Sequence, residues 1–294
     1  MLKDIIQFFN TGHFNSVVIY GATASGKSEL ALRLANELKA ALIINADSMQ
    51  VYRDIPIITA QPQELSGHHL YGFIKPDDHS FSVAKWLSLV AEIVNSTSLI
   101  PIIVGGTGMY ISNLINGLTQ IPSIPLDITQ KLIREMKLYG LPHLFTRLTT
   151  LDPLAASKIS DPQRIIRALA VYEATGQPIS HWQKCNLKYI DSSKIMKIWV
   201  KPQRDILYER INSRFIKMLD TGVIDEVELV MQQYKTYPKA IGLQEIGMYI
   251  ENKLSKEQMI TLSQVRSRNY AKRQETWFKN QLLSNITISI PLST

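Results

Sequence analysis

"VVIYGATASGKSELALRLA", residues 17–35, decides the fold. Four apolar residues, Val17 to Tyr20, have the character of a buried strand and run into Gly21, four further residues, and then Gly26-Lys27-Ser28. This spacing lets the backbone N–H groups from Gly21 through Ala22, Thr23, Ala24, Ser25 and Gly26 converge on an anion, and a helix opens behind them with its positive dipole end facing it. Lys27 adds a full charge, and Ser28 is placed to put its hydroxyl on a Mg²⁺ ion. Leu30, Leu34 and Leu38 recur every fourth residue and turn one apolar stripe towards a sheet. Strand, turn and helix are all present, so the stretch predicts a phosphate site in a P-loop NTPase-like α/β core.

Working outward, "AALIIN" at 40–45 ends in Asp47-Ser48, and "LIPIIVGG" at 99–106 ends in a Gly-Gly-Thr-Gly turn. Continuous apolar runs of this kind fit strands covered on both faces. Between them Val83, Trp86, Leu87, Val90 and Val94 hold helical spacing behind candidate serine caps. The alternation predicts a parallel, doubly wound sheet whose ligand lies beyond the carboxyl ends of the strands, where Gly21–Ser28, Asp47 and Thr107 would converge. From about residue 120 the pattern changes to short helices at 126–139, 141–150, 152–158 and 161–175, with no convincing strand until "KIMKIWV" at 194–200. Two amphipathic helices within 203–236 and a long one near 255–280 follow. The expected division is a core from 1–119, a helical insertion over 120–190, and the rest of the core, ending in a basic helix, over 191–294.

A chain of 294 residues that is 45% hydrophobic can bury a sizeable core, and 32 Lys+Arg against 25 Asp+Glu give a net +7 that hints at a polyanionic partner. The single cysteine, Cys185, excludes an internal disulfide framework, and no histidine has ligand-like spacing with it. His68-His69 precedes the alternating "LYGFI" and reads as part of a strand with its two rings on opposite faces. The first residues lack the apolar run of a signal peptide, and no segment approaches the ~18 apolar residues of a membrane helix. A cytoplasmic protein is expected.

Chemistry needs partners for the loop. A nucleotide hydrolase requires an apolar strand ending in a Mg²⁺-binding acid. Only "ALIINADS" offers one, through Asp47, while the strand ending at Gly105 offers none. Asp47 reads as a plain strand end, a metal ligand or a proton acceptor, the last being useful when a poor nucleophile must lose a proton as it attacks. In "SDPQRIIRALAVYEATG", Asp161 reads as an N-cap and Pro162 as the first helical residue, so Gln163, Arg164 and Arg167 lie on the opening turns around Ile165 and Ile166. The stretch 265–279 sets Arg266, Arg268, Lys272, Arg273 and Lys279 against Glu275, with aromatic residues interleaved, a pattern suited to a helix between a core and a polyanion.

Taken together, "GATASGKS", "NADSMQVY", "IIVGGTGMYI", "DPQRIIRALAVYEATG", "RDILYERINSRFIKMLDTGVIDEV" and "RNYAKRQETWF" resemble, in order and spacing, the bacterial tRNA dimethylallyltransferases, over about residues 17–280. The resemblance implies transfer of the dimethylallyl group of dimethylallyl diphosphate to the exocyclic amine of the adenosine 3′-adjacent to the anticodon in tRNA. The loop would then hold a leaving pyrophosphate, helped by Lys27, by Mg²⁺ on Ser28 and by Arg214. By the same resemblance Asp47 is the base, Thr107 lies at the reacting base, and Ser48, Met49 and Gln50 hold the extruded adenosine. Gln163, Arg164, Ile165, Ile166 and Arg167 would grip the anticodon stem-loop, with Arg273 as a further tRNA contact and a monomer as the expected form. A P-loop small-molecule kinase or ATPase is the alternative. Ala22 stands where proline is common, and Leu243-Gln244 stand where an aromatic and a basic residue are expected. A basic residue near Thr129 is also missing, with Lys131 or Arg134 to replace it.

Overall fold

A computed structural model describes residues 2–10, 12–184 and 186–289; Cys185 lies outside them. The chain divides into two compact units, Met1–Ile115 with Tyr189–Thr294, and Asn116–Lys188.

The first unit begins α1 (Leu2–Asn10), β1 (Ser16–Gly21), α2 (Lys27–Leu38), β2 (Ala41–Asn45), α3 (Pro56–Thr59), β3 (His68–His69), α4 (Val83–Ser96), β4 (Ile100–Gly105) and α5 (Gly108–Asn116). It resumes with β7 (Ile195–Val200), α11 (Arg204–Asp220), α12 (Val223–Gln233), α13 (Leu243–Ile250), α14 (Lys256–Gln281) and β8 (Ile286–Ile288). Its six strands form one parallel sheet in the order β3-β2-β4-β1-β7-β8. All six residues of β1 are buried, as a central strand covered on both faces requires. From β1 the chain moves past β4 to β2, and it returns much later to β7 on the other side. The carboxyl end of β1 is therefore the point where strand order reverses and a crevice opens.

Ile5, Val17, Ile19, Leu30, Leu34 and Ile102 share the core that seats α1 and α2 on the sheet. A second core gathers Ile55, Phe215, Val227, Leu243, Ile246 and Met259 from α3 and α11 to α14. Leu243 is thus a core residue, and Gln244 accepts a hydrogen bond from Arg266 at 3.0 Å. The histidine pair is itself the whole of β3, because Leu70 turns at φ 63 and the alternating residues after it leave the sheet. Ser82 caps α4 by accepting from Lys85 N. The elements α1, α5, α13 and β8, of 9, 9, 8 and 3 residues, are too short to stand out in the sequence.

The second unit contains β5 (Leu118–Thr119), α6 (Leu126–Tyr139), α7 (Leu141–Leu151), α8 (Pro153–Ala156), α9 (Pro162–Thr175), α10 (Ile179–Trp182) and β6 (Asn186–Leu187). β5 and β6 pair antiparallel, Leu118 opposite Leu187, which brings the entering and leaving chain together. A short antiparallel pair therefore exists where the sequence showed only helices, two residues per strand being too short for alternation to register. Leu132, Leu144, Leu148, Ile165 and Leu169 form its core. Asp152 and Asp161 cap α8 and α9 through their carboxylates. An ion network covers one side, with Arg147 between Glu135 and Glu173, His143 on Glu135 at 2.9 Å and Lys131 on Glu173 at 3.4 Å. Among the described residues no helix is long and apolar enough to cross a membrane.

Candidate active site

The loop after β1 is a backbone device. Ala24 at φ 61 and Gly26 at φ 95 take left-handed conformations that turn successive amides one way. The first-turn amides of α2, from Lys27 and Ser28 onward, have no intrahelical acceptor by geometry. Gly21 cannot be larger, since a Cβ there would lie 2.5 Å from the Val200 carbonyl oxygen. Ser25 Oγ is buried without a protein partner.

Cations close in from two elements. Lys27 Nζ donates to the Ala22 carbonyl at 3.2 Å, and burial pulls its ammonium down to about 8, with the Arg214 charge lowering it further and Asp47 opposing. The Arg214 guanidinium donates to Thr23 Oγ1 and is itself lowered by burial. Four residues earlier on α11, Arg210 donates to the Ser25 carbonyl at 3.4 Å. Arg210 was not singled out in the sequence, although its i,i+4 spacing from Arg214 places both on one helix face.

The segment after β2 is held by side chains. Asn45, fully buried, accepts from Asp47 N at 2.8 Å and donates to the carbonyls of Asp47 at 3.0 Å and Leu70 at 2.9 Å. Asp47 Oδ1 accepts from Met49 N at 3.0 Å. Thr107 Oγ1 accepts from Ser48 N at 2.8 Å and donates to Ser48 Oγ at 3.2 Å, so the ends of β2 and β4 are tied across the crevice. Burial first, and the Asp47 charge after it, holds the Tyr71 and Tyr270 hydroxyls well above the usual phenol value. Gln50 turns its amide nitrogen to the carbonyls of Thr59 and Ala60, at 2.9 and 2.8 Å. That fixes the loop after Asp47 instead of aiming the amide nitrogen at a ligand.

A cavity of about 430 Å³ lies beside them, lined on its polar side by Thr23, Asp47, Arg214 and Arg273 and on its apolar side by Ile58, Ile211, Phe215 and Met218. Cations beside a short apolar wall fit a diphosphate joined to a small hydrocarbon. A divalent ion would be held by the Ser28 hydroxyl together with phosphate oxygens, because no cluster of three His, Cys, Asp or Glu suited to a metal exists among the described residues. The partnerless Ser25 hydroxyl and the inward-turned amides fit such a charged guest.

The basic helix α14 divides its charges. Arg266 pairs with buried Glu245, and Arg268 donates to Asn212 Oδ1 at 2.6 Å, so both serve the fold. Arg273 lines the cavity, and Lys272 and Lys279 are exposed. In the second unit Gln163, Arg164 and Arg167 are exposed, Arg164 lying 3.3 Å from its own cap Asp161. Ile165 and Ile166 are buried in the helical core, so neither side chain is offered to a partner. A tRNA contact at these two positions would be made by their backbone.

A family model described as IPP transferase matches residues 50–281, and one described as isopentenyl transferase matches residues 14–69. The tRNA dimethylallyltransferase of Rickettsia bellii (strain OSU 85-389) is 43% identical over 285 residues, covering 92% of this chain and 90% of the relative. The crystal structure of the full-length tRNA isopentenylpyrophosphate transferase of Bacillus halodurans gives a TM-score of 0.64 at 32% identity, over 93% of this chain and 89% of that one. A eukaryotic dimethylallyltransferase captured acting on tRNA gives a TM-score of 0.76 at 27% identity, over 93% of this chain and 74% of that one.

Proposed function

The chain belongs to the IPP transferase family and is a prenyltransferase acting on tRNA, and from that premise we propose how its own residues share the work. The donor is dimethylallyl diphosphate, and the acceptor is the exocyclic amine of the adenosine 3′-adjacent to the anticodon. Asp47 takes the amine proton as the new C–N bond forms and the allylic C–O bond breaks. The adenine amine is a weak nucleophile because its lone pair is delocalised into the ring, so a fixed carboxylate matters most at the transition state. The departing pyrophosphate spreads its charge over the loop amides, Lys27 and Arg214. Mg²⁺, when bound at Ser28, supplies further charge neutralisation there. Thr107 sets Ser48, and with it the floor on which Ser48 and Met49 receive the base.

One observation carries this reading: Asp47, Thr23 of the phosphate loop and the cations Arg214 and Arg273 border a single cavity that also has an apolar wall. A single-stranded loop offers its bases at low unstacking cost, which suits an enzyme that must reach an amine. Exposed Gln163, Arg164 and Arg167 support a tRNA-gripping role for the second unit, and Arg273 one for the core. The absence of any membrane-crossing helix among the described residues fits a cytoplasmic enzyme. The kinase or ATPase alternative is set aside by the family and has no use for the basic helix.

The test is direct. Purified protein given labelled dimethylallyl diphosphate, Mg²⁺ and an anticodon stem-loop should label the RNA on that adenosine and release pyrophosphate in equal amount. Label on another nucleotide, or transfer of phosphate from ATP in its place, would overturn the reading.

A further inference from the structure

Gln274 lies one residue beyond Arg273 on α14, turned into the protein, and is buried. Its Oε1 accepts from the Thr23 amide at 2.8 Å, and its Nε2 donates to the Gly106 carbonyl at 2.8 Å. One side chain thus joins the phosphate loop at the end of β1 to the turn at the end of β4 that carries Thr107. The fit is close, since a Cβ on Gly106 would meet Gln274 Nε2 at 2.5 Å and Asp47 Oδ2 at 3.3 Å. Thr23 is pinned twice, its amide by Gln274 and its hydroxyl by Arg214.

We propose that Gln274 is a positioning residue that sets the distance between the diphosphate-holding loop and the base-holding turn. It touches neither reactant and acts through Thr23 on one side and through Gly106 and Thr107 on the other. Both jaws are satisfied by one planar amide, so neither moves without breaking a buried hydrogen bond. Displacement transfer needs the allylic carbon and the amine within about 3–3.5 Å and in line, which makes the rate far more sensitive to that distance than either affinity is. The inference rests on the loop being the donor site.

The charged and titratable groups near Gln274 include Asp47 beyond Gly106, Arg214 and Lys27 about the Thr23 segment, and Tyr270, Arg273 and Glu275 on α14 itself. Gln274→Ala should lower single-turnover transfer by about 10- to 100-fold. Pyrophosphate and anticodon stem-loop affinities should stay within roughly threefold of the parent, the pattern of an interaction that matters only at the transition state. Gln274→Glu gives a second readout. Ionised, the new carboxylate still accepts from Thr23 N but cannot donate to the Gly106 carbonyl. Protonated, it does both and copies the amide, and its buried site favours protonation. Its rate relative to the parent protein at the same pH should therefore climb as pH falls.

Equal losses of affinity and rate in Gln274→Ala, an unchanged rate, or a Gln274→Glu ratio flat with pH would each overturn the role. Should Gln274→Ala not fold, the pH series of Gln274→Glu decides alone. If pyrophosphate fails to compete with dimethylallyl diphosphate in the parent protein, the donor-site reading is at fault. If it competes and the Gln274 results fail, only this inference falls.

Discussion

The loop after β1 and the segment after β2 end neighbouring parts of one sheet, yet they are built on different principles. The first is a cradle of backbone: eight contiguous residues, two left-handed turns and a helix start make an anion site with hardly a side chain needed for its shape. The second is a mount for one carboxylate. Asp47 is steadied by Asn45 and Met49 nearby, and the residues around it by Leu70 and Thr107 from other parts of the chain. Binding an anion calls for many donors of modest accuracy. Moving a proton calls for one group held accurately, and that accuracy must be brought in from elsewhere.

Three substitutions probe the contrast. Asp47→Ala should lower turnover by about 10²–10⁴-fold with little change in pyrophosphate affinity; stopped-flow transfer rates beside calorimetric titration would show it, and near-normal turnover would remove the base. Lys27→Ala should instead weaken pyrophosphate binding and slow transfer together, since its charge is felt in both ground and transition states. A pH effect comes with it. Burial holds the Lys27 ammonium of the free protein down to about 8, so its charge fades as pH rises past that value, while a bound diphosphate favours the charged form. Pyrophosphate affinity should then decline as pH rises past 8 in the parent and not in Lys27→Arg, whose guanidinium stays charged.

Smaller effects should follow from the supports. Asn45→Ala leaves the Asp47 amide and the Leu70 carbonyl without their partner, so denaturant melts should show a loss of about 2–3 kcal/mol, with slower turnover accompanying it. Unchanged stability would mean that the mount is held by Thr107 alone. Arg164→Ala and Arg273→Ala should change least, each flattening the log–log salt dependence of tRNA binding by about 0.7–0.9 for a lost phosphate contact. An unaltered slope at Arg164 would show its charge answered by Asp161.

The same contrast decides how much was legible in the sequence. The cradle is contiguous, so Gly21, Gly26, Lys27 and Ser28 announced it by spacing alone. Long apolar runs gave β1, β2, β4 and β7, and helical periodicity gave α6, α7 and α9, because those signals are local. Gln274 and Arg210 went unnoticed because their partners, Thr23 and Ser25, lie 251 and 185 residues away, and a glutamine or arginine on an amphipathic helix looks like any solvated residue. Ile165 and Ile166 were read with their arginine neighbours, although two adjacent apolar residues on a helix mark the side turned inward. Arg266 and Arg268 were counted as a charge surplus, but their carboxylate and amide partners come from α13 and α11.

The clasp between Thr23 and Gln274 also orders events during synthesis. Thr23 leaves the ribosome 251 residues ahead of its partner. At ~5–20 residues per second the loop waits on the order of 10–50 s for the helix that completes it. Until α14 is made, the Thr23 amide and the Gly106 carbonyl lack the one side chain that joins them, and the cavity lacks Arg273.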